Sequence, residues 1–552
     1  MSESPNVARR FAIGLALLVS LAFALRVWAL ERCGIDHYDE GVYAFSAAAL
    51  AAPQDFPELY PGQEKFSPPL YFGAAGLLAR VGGLEIDTAL VALNALLGAA
   101  TVALLALVGR RWFGPAAGLA SGALLALNEY HIALSRSALT DVAFALAHLG
   151  AWFALIEALR AERLGRALAA GVLVAVAWNV KYHGWLAVVA SALAFAPIFV
   201  ARLATGRPWR GPLLLGCAAA GVAALGYLPW ALHIQAQPGG YAALAQYQST
   251  MLRGGWFENL ARQGAQQLFF EGPLSAAAPP LALACALWLS PARAGVAVAL
   301  AALLGALACA FGGAVAFTAL AACALLPLVP RARALEWPAL ALLAALTLWS
   351  LLTPFYHPYA RLLLPLVLLA LLAAGLALES FARRFAEGSR PSSPRAALLA
   401  LGVALATSAA SRLREDPSDP WRDARGIERA AEELTRSLPR GARVFVLGDP
   451  ALAWYLRRAG VEPCEVLTGP ECLERLEREP RETFIACGFY PRLTGAEARL
   501  VESAGARLAL HATAEAQVKD VRLLDDFRVS RALRLRREPG DDYQVRLHRY
   551  AP

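Results

Sequence analysis

Repeated apolar runs, each close to the length of a membrane-crossing helix, limit most strongly what this chain can fold into. About 20 apolar residues in a helix cross the roughly 30 Å hydrocarbon core of a bilayer. Hydrophobic residues make up 58% of the 552 residues, more than soluble domains carry. The runs cover residues 11–30, 86–109, 115–130, 140–159, 166–181, 184–202, 211–231, 274–291, 294–312, 313–330, 337–353, 361–381 and 395–411. They predict a polytopic α-helical membrane protein with about thirteen transmembrane helices.

Arginine placement predicts the orientation. Arg9 and Arg10 precede the first run, which is too long for a signal-peptide core and is read as retained. Alternate loops carry arginines, as the positive-inside rule expects of cytoplasmic loops. We therefore expect a cytoplasmic N-terminus in the cytoplasmic (inner) membrane. An odd number of spans then places the C-terminal region outside.

The chain divides near residue 411, where apolar sequence gives way to polar sequence. We predict a transmembrane domain over 1–411 and an extracytoplasmic domain over 412–552. Alternating helical and strand-like segments after a Pro-rich linker predict a small α/β fold there. The segments are helical at 427–438, 450–459 and 494–504 and strand-like at 442–447, 483–487 and 506–511. A Cys464–Cys472 disulfide is possible on spacing alone, and no Cys/His spacing predicts a structural zinc site.

Two outward loops are long and carry unusual residues. The loop 31–85 contains short apolar stretches at 41–52 and 69–80, which we interpret as helices along the membrane surface. The loop 232–273 combines glutamines with aromatic residues, a composition that suits a membrane interface or a groove for lipid or sugar. The net charge of +8 comes from arginines divided among short loops, so no nucleic-acid-binding patch is predicted.

Asp39 and Glu40 lie directly after the first span, beside Asp36, His37 and Tyr38. Carboxylates at a membrane rim are costly to desolvate, which favours a functional role. Crowding near low dielectric shifts their pKa values, as a general base requires. The alternative is a pair of acidic residues that stabilises a helix N-terminus.

Lysine is scarce here, with only Lys65, Lys181 and Lys519 among 51 basic residues. Lys65 and Lys181 fall at outward membrane ends, which indicates a need for a compact ammonium, such as phosphate binding. Simple snorkelling is the alternative.

Arg136 and Asp141 lie at the outer end of span four, where Asp141 is either a second acidic group or a helix cap. Arg361 is an outward arginine that suits a lipid phosphate or an ordinary headgroup anchor.

Together these residues resemble the membrane glycosyltransferases that use polyprenyl-phosphate sugars. The family includes the dolichyl-phosphate-mannose–protein mannosyltransferases and the aminoarabinose–lipid A transferase. The resemblance rests on the order and placement of short motifs over residues 1–381. They are Asp39-Glu40-Gly41-Val42-Tyr43-Ala44, Lys65 with Pro68-Pro69-Leu70-Tyr71, Arg136, Asp141, Asn179-Val180-Lys181-Tyr182, and Tyr359-Ala360-Arg361 with Pro365.

The resemblance implies a C-type glycosyltransferase fold and assigns roles to these residues. Asp39, with Glu40 beside it, would be the catalytic carboxylate, and Asp141 a second acidic residue near the acceptor. The donor phosphate would bind Lys65, assisted by Arg136, Lys181 and Arg361. Tyr43, Tyr71, His357 and Tyr359 would line the substrate groove. Asp39, Glu40 and Asp141 could also hold a divalent cation, although the resemblance requires none.

The predicted function is transfer of a sugar from a polyprenyl-phosphate donor to an envelope acceptor on the outer membrane face, with inversion. The acceptor could be a glycolipid, a polysaccharide or a protein. A transporter or flippase of a lipid-linked sugar is the main alternative, but it would place polar groups near the bilayer midplane. A non-catalytic scaffold is the third, and it leaves the Asp-Glu pair and the lysines without a purpose.

Overall fold

The computed structural model describes residues 4–56, 60–252, 254–260, 263, 334–357, 359–386, 421, 423–462, 464–488, 491–492, 494–516 and 544–552. Within these residues, six helical segments are long and apolar enough to cross a membrane. They are Pro5–Arg32, Ile86–Phe113, Asp141–Ala161, Tyr182–Ala204, Arg210–Ala236 and Trp337–Phe355. Shorter apolar helices cover Leu70–Gly82, Pro115–Ala126, Leu164–Val180 and Arg361–Leu376. The chain is therefore a multi-pass membrane protein.

In the described residues of the membrane part, we number the helices α1 to α13. Their bounds are α1 Pro5–Val27, α2 Tyr38–Ala51, α3 Leu70–Gly82, α4 Ile86–Phe113, α5 Pro115–Ala126, α6 Glu129–Ser135, α7 Asp141–Ala161, α8 Leu164–Val180, α9 Leu186–Ala204, α10 Arg210–Ala236, α11 Gly240–Ser249, α12 Trp337–Leu352 and α13 Leu364–Ala386. The predicted spans 274–291, 294–312, 313–330 and 395–411 lie outside the described residues. Each of the other predicted spans coincides with a helix.

Small residues allow the helices to approach closely. A Cβ on Gly118 of α5 would lie 2.4 Å from the Ala106 carbonyl oxygen of α4. A Cβ on Gly171 of α8 would lie 2.5 Å from the Ala219 carbonyl oxygen of α10. Lipid tails are as apolar as leucine, so close backbone packing stabilises membrane helix pairs. The Ala/Gly-rich composition of the runs thus explains the α4–α5 and α8–α10 contacts.

The C-terminal region forms a five-stranded sheet with helices, as the alternating segments predict. In chain order it contains α14 Gly426–Ser437, β1 Val444–Leu447, α15 Pro450–Arg458, β2 Cys464–Leu467, α16 Gly469–Arg478, β3 Thr483–Cys487, α17 Ala496–Ala504, β4 Leu508–Glu515 and β5 Gln544–Tyr550. The strand order is β2-β1-β3-β5-β4, with β1, β2 and β3 parallel and β5 antiparallel to both neighbours. Cys464 and Cys472 are both free thiols, so the possible disulfide between them is not formed.

This C-terminal region packs directly on the segment between α1 and α4. A Cβ on Gly41 of α2 would lie 2.3 Å from the backbone nitrogen of Ala451 in α15, so only glycine fits. Ile35 N–H donates to the Tyr455 hydroxyl at 3.0 Å. Arg458 pairs with Asp87 of α4 at 2.8 Å. The loop that carries Asp39 is therefore held between the membrane helices and the sheet.

Candidate active site

A hydrogen-bonded cap starts α2 and fixes Asp39 and Glu40 in different surroundings. Glu40 is fully buried, and its carboxylate accepts backbone N–H bonds from Asp36, His37 and Ala138 at 2.9, 3.1 and 2.7 Å. It ties the α2 N-terminus to the turn before α7. Glu40 does not line the cavity that Asp39 faces, so its predicted catalytic role is corrected to a structural one.

Asp39 belongs to a row of alternating charges. Arg361 donates to the Asp39 carboxylate at 2.8 Å and lies 4.0 Å from that of Asp141. Lys181 donates to the other Asp141 oxygen at 2.6 Å. These residues come from α2, the turn before α13, α7 and the end of α8, and their order along the chain does not reveal the contact. The structure thus brings together four of the predicted site residues, as two matched ion pairs.

The ion pair sets the charge state of Asp39. Burial acts to raise the pKa of Asp39, but the positive charge of Arg361, followed by that of His37, lowers it below its usual value. The carboxyl group is therefore ionised at neutral pH. It can accept a proton, although its low pKa makes it a weak base while Arg361 remains its partner.

Lys65 ends a short 3₁₀ turn that a buried glutamine fixes in place. Gly62 begins the turn with a φ of +77°, a conformation that glycine adopts readily. Gln63 accepts from the Ser46 hydroxyl at 2.5 Å and donates to the Ser67 carbonyl at 3.2 Å. The Lys65 ammonium lines the same cavity as Asp39 and has no ion pair within the described part of the chain.

Arg136 lies away from that cavity. Its guanidinium is 1% exposed and donates to the carbonyl oxygens of Arg26, Trp28 and Ala29, at the end of α1. The last carbonyl groups of a helix lack intrahelical partners, and a cation near them stabilises the helix end. We therefore interpret Arg136 as a residue that caps the C-terminal end of α1, in place of its predicted role in binding donor phosphate.

The four predicted groove residues separate into two groups. Tyr43, His357 and Tyr359 line the cavity, and the Tyr359 ring lies 4.8 Å below the Arg361 guanidinium. Tyr71 is 2% exposed and donates to the Leu90 carbonyl, so it packs in the protein interior instead. Its ring contacts that of Tyr43 edge-on at 6.0 Å.

One cavity of about 1450 Å³ is lined by Asp39, Lys65, Lys181 and Arg361. One part of its wall is apolar and comes from the membrane helices, including Leu186, Trp349 and Leu352. Another part comes from the C-terminal region and includes Gly448, Arg457, Val466, Leu467, Thr468 and Glu471. The sequence did not single out this second wall. The available signal was that Gly448 follows the predicted strand 442–447, which is β1.

Two groups of side chains carry atoms that can ligate a metal ion. Asp39 and Asp141 offer carboxylate oxygens, but Arg361 contacts both, and Glu40 faces away, so the predicted trio does not form a cation site in this geometry. In the C-terminal region, Cys487, Glu497 and His548 bring their ligand atoms within 4.8 Å of one another. Glu497 there already pairs with His548 at 2.7 Å and lies 3.5 Å from Arg492. Neighbouring positive charge opposes a bound cation, so we interpret this group as an ionic cluster.

Part of the chain matches a known protein family. Residues 67–232 match the family model of dolichyl-phosphate-mannose-protein mannosyltransferase. The matched part includes Arg136, Asp141 and Lys181 but neither Asp39 nor Arg361. No curated protein matches the chain significantly in sequence.

Solved structures share the fold over nearly the whole chain. ArnT from Cupriavidus metallidurans bound to undecaprenyl phosphate matches with a TM-score of 0.55 at 14% identity, covering 97% of each chain. The oligosaccharyltransferase AglB from Archaeoglobus fulgidus, in complex with an inhibitory peptide and a dolichol-phosphate, matches with a TM-score of 0.57 at 13% identity. That match covers 90% of this chain and 71% of AglB. The resemblance to polyprenyl-phosphate-dependent membrane glycosyltransferases is thereby confirmed, and at these identities the structures establish the fold.

Proposed function

We propose that this protein is a membrane glycosyltransferase that moves a sugar from a polyprenyl-phosphate donor to an envelope acceptor. The observation that carries the proposal is one cavity lined by Lys65, which forms no ion pair with a described residue, and by the ionised carboxylate of Asp39. The family match and the shared fold support the same reaction class. Following the predicted orientation, the reaction takes place on the outer face of the cytoplasmic membrane.

The donor end of the cavity suits a lipid phosphate. Lys65 provides positive charge for the phosphate, and Leu186, Trp349 and Leu352 offer apolar surface to the polyprenyl chain. The Nε–H of Arg361 has no acceptor among the described residues, so this guanidinium can also donate to a phosphate oxygen.

The chemistry follows from these positions. The acceptor oxygen or nitrogen attacks the anomeric carbon, and the bond from that carbon to the phosphate oxygen breaks. The electron pair of that bond remains on the phosphate, where Lys65 and Arg361 stabilise the added charge. Asp39 takes the proton that the acceptor loses. Attack opposite the leaving phosphate inverts the anomeric centre.

Asp39 also favours transfer over transport. A transporter must bind a lipid phosphate, and a carboxylate in the same cavity repels that phosphate. A transferase needs such a carboxylate because the acceptor must lose a proton. The carboxylate therefore has a purpose in a transferase that it lacks in a flippase.

Asp39→Asn tests the proposal. The purified protein is incubated with lipid-linked sugars and an envelope extract, and the release of free polyprenyl phosphate is measured by mass spectrometry. Loss of the general base should slow release by about 10²- to 10⁴-fold. Glu433→Gln, an exposed change on α14, serves as the control and should release at the wild-type rate. Full release by Asp39→Asn would rule out the general-base role.

A further inference from the structure

The cavity wall formed by the C-terminal region lies at one edge of the sheet. Gly448 and Thr468, which follow β1 and β2, both line the cavity. Strand β1 lies between β2 and β3, so the chain changes direction across the sheet at β1. Ligands of open α/β sheets bind beyond the carboxyl ends of the strands at such a point. This edge of the sheet thus faces into the proposed active site.

Arg457, at the end of α15, is the cation on this wall. Its guanidinium lies 4.8 Å from the ring centre of Phe56 and 5.7 Å from that of Phe45. Contact with two rings restricts the side chain, and its exposed fraction is 31%. The planar guanidinium is thereby held at the cavity surface with limited freedom.

The guanidinium of Arg457 forms no hydrogen bond with a described residue. Among the described residues, its one carboxylate neighbour within 4.0 Å is Glu462, at 4.0 Å, and that side chain is 72% exposed. Asp55 and Glu471 also line the cavity, but neither forms an ion pair with Arg457 within the described chain. Glu471 instead accepts from the backbone N–H and the hydroxyl of Thr468, which caps α16.

The four cations that line or adjoin the cavity therefore differ in their partners. Arg361 and Lys181 are matched by Asp39 and Asp141 at 2.8 and 2.6 Å. Lys65 and Arg457 lack a close carboxylate among the described residues. Under the proposed function, Lys65 serves the donor phosphate. Arg457 then remains as a second positive group on a different wall.

We propose that Arg457 binds an anionic group, a phosphate or a carboxylate, on the acceptor, and that the C-terminal region thereby selects the acceptor. The proposal rests on the proposed function, because the transfer reaction defines the acceptor. A guanidinium held in one plane donates two parallel hydrogen bonds to either anion. The cavity connects this site to Asp39, which receives the proton of the acceptor.

A binding experiment separates this site from that of the donor. The purified protein is saturated with undecaprenyl phosphate, and inorganic phosphate is then added while the width of its ³¹P resonance is recorded. Acetate added in a second series shows whether a carboxylate competes for the same site. We expect broadening with wild type and with Arg478→Ala, an exposed change on α16.

Two variants identify the residue. Arg457→Ala should abolish the broadening, while Arg457→Lys, which keeps the charge but loses the planar fork, should weaken it. In the release assay, Arg457→Ala should raise the apparent KM for the envelope acceptor by about tenfold or more and leave the KM for the donor unchanged. Equal broadening in wild type and Arg457→Ala, with undecaprenyl phosphate still bound, would overturn the acceptor site alone. Failure of undecaprenyl phosphate to bind wild type would instead contradict the proposed function.

Discussion

At the scale of single residues, the site depends on two neighbouring ion pairs, Asp39–Arg361 and Asp141–Lys181. Arg361 holds Asp39 at 2.8 Å and approaches Asp141, which Lys181 holds from its other side. A buried charge without a partner is costly, while a matched pair costs far less. Each of these residues therefore contributes to the stability of the others as well as to the proposed reaction.

The acid dependence of activity should reveal the Asp39–Arg361 pair. Because the charge of Arg361 lowers the pKa of Asp39, this carboxylate stays ionised at and above its usual titration range. The stability it contributes is present at neutral pH and is lost only as the pH falls through the lowered value. In Arg361→Gln, the pKa of Asp39 rises because its largest positive neighbour is lost, so kcat/KM should begin to fall at a higher pH than in wild type as the solution is made acidic. Equal acid limbs in the two pH profiles would contradict the pairing.

The second pair predicts a change in stability. In Lys181→Ala, the Asp141 carboxylate, 4% exposed, loses its closest cation. We expect the free energy of unfolding to fall by about 3 kcal/mol, measured by thermal unfolding in detergent. Asp141→Asn/Lys181→Ala removes the stranded charge and should regain part of that loss. A double variant less stable than Lys181→Ala would contradict the claim that the unpaired charge of Asp141 causes the loss of stability.

At the scale of helices and strands, α2 connects the membrane part to the sheet. Gly41→Ala places a methyl group 2.3 Å from the Ala451 nitrogen, an overlap with backbone that cannot be relieved by rotating a side chain. We expect α15 to be displaced, with a loss of about 1–3 kcal/mol in the free energy of unfolding and a lower release rate.

Gly73→Ala on α3 is the matched control for Gly41→Ala. Its added methyl group would lie 3.5 Å from the Leu50 side chain, an ordinary contact. Thermal unfolding and the release assay should not distinguish this control from wild type. If Gly41→Ala also matches wild type in both assays, close packing of α15 on α2 does not position Asp39.

Periodicity and composition predicted the individual elements well. The apolar stretches 41–52 and 69–80 are α2 and α3, and the strand 483–487 is β3. The short edge strand β2 and the inner strand β5 were missed, because neither Cys464–Leu467 nor Gln544–Tyr550 has a strong alternating or apolar pattern. Their place in the sheet is set by pairing with β1, β3 and β4.

The site was predicted in part, for a physical reason. Residue type and membrane placement single out Asp39, Lys65, Asp141 and Arg361, which lie in or beside the cavity. They do not reveal which charges are already neutralised, since that depends on contacts between distant segments. Arg136 and Glu40 were also predicted as site residues from the sequence. In the structure, the side chains of both form hydrogen bonds with backbone groups in the interior. No sequence pattern indicated Arg457, because its proposed role depends on the sheet facing the cavity.

At the scale of the whole molecule, membrane helices and a C-terminal sheet together enclose one cavity. The membrane part supplies the apolar wall, Lys65 and Asp39, and the sheet supplies Arg457 and the carboxyl ends of β1 and β2. A lipid donor and a polar acceptor could thus enter from different walls and meet at Asp39. This division explains why neither part alone would form the proposed site.

Native mass spectrometry of the detergent-purified protein tests the central claim most directly. Wild type is compared with Lys65→Ala and with Arg80→Ala, which removes an exposed cation outside the cavity. We predict that wild type and Arg80→Ala retain a lipid with the mass of a polyprenyl-phosphate sugar, and that Lys65→Ala loses it. That mass would also identify the sugar class. Ordinary phospholipids alone in all three proteins would contradict a lipid-linked sugar donor bound through Lys65.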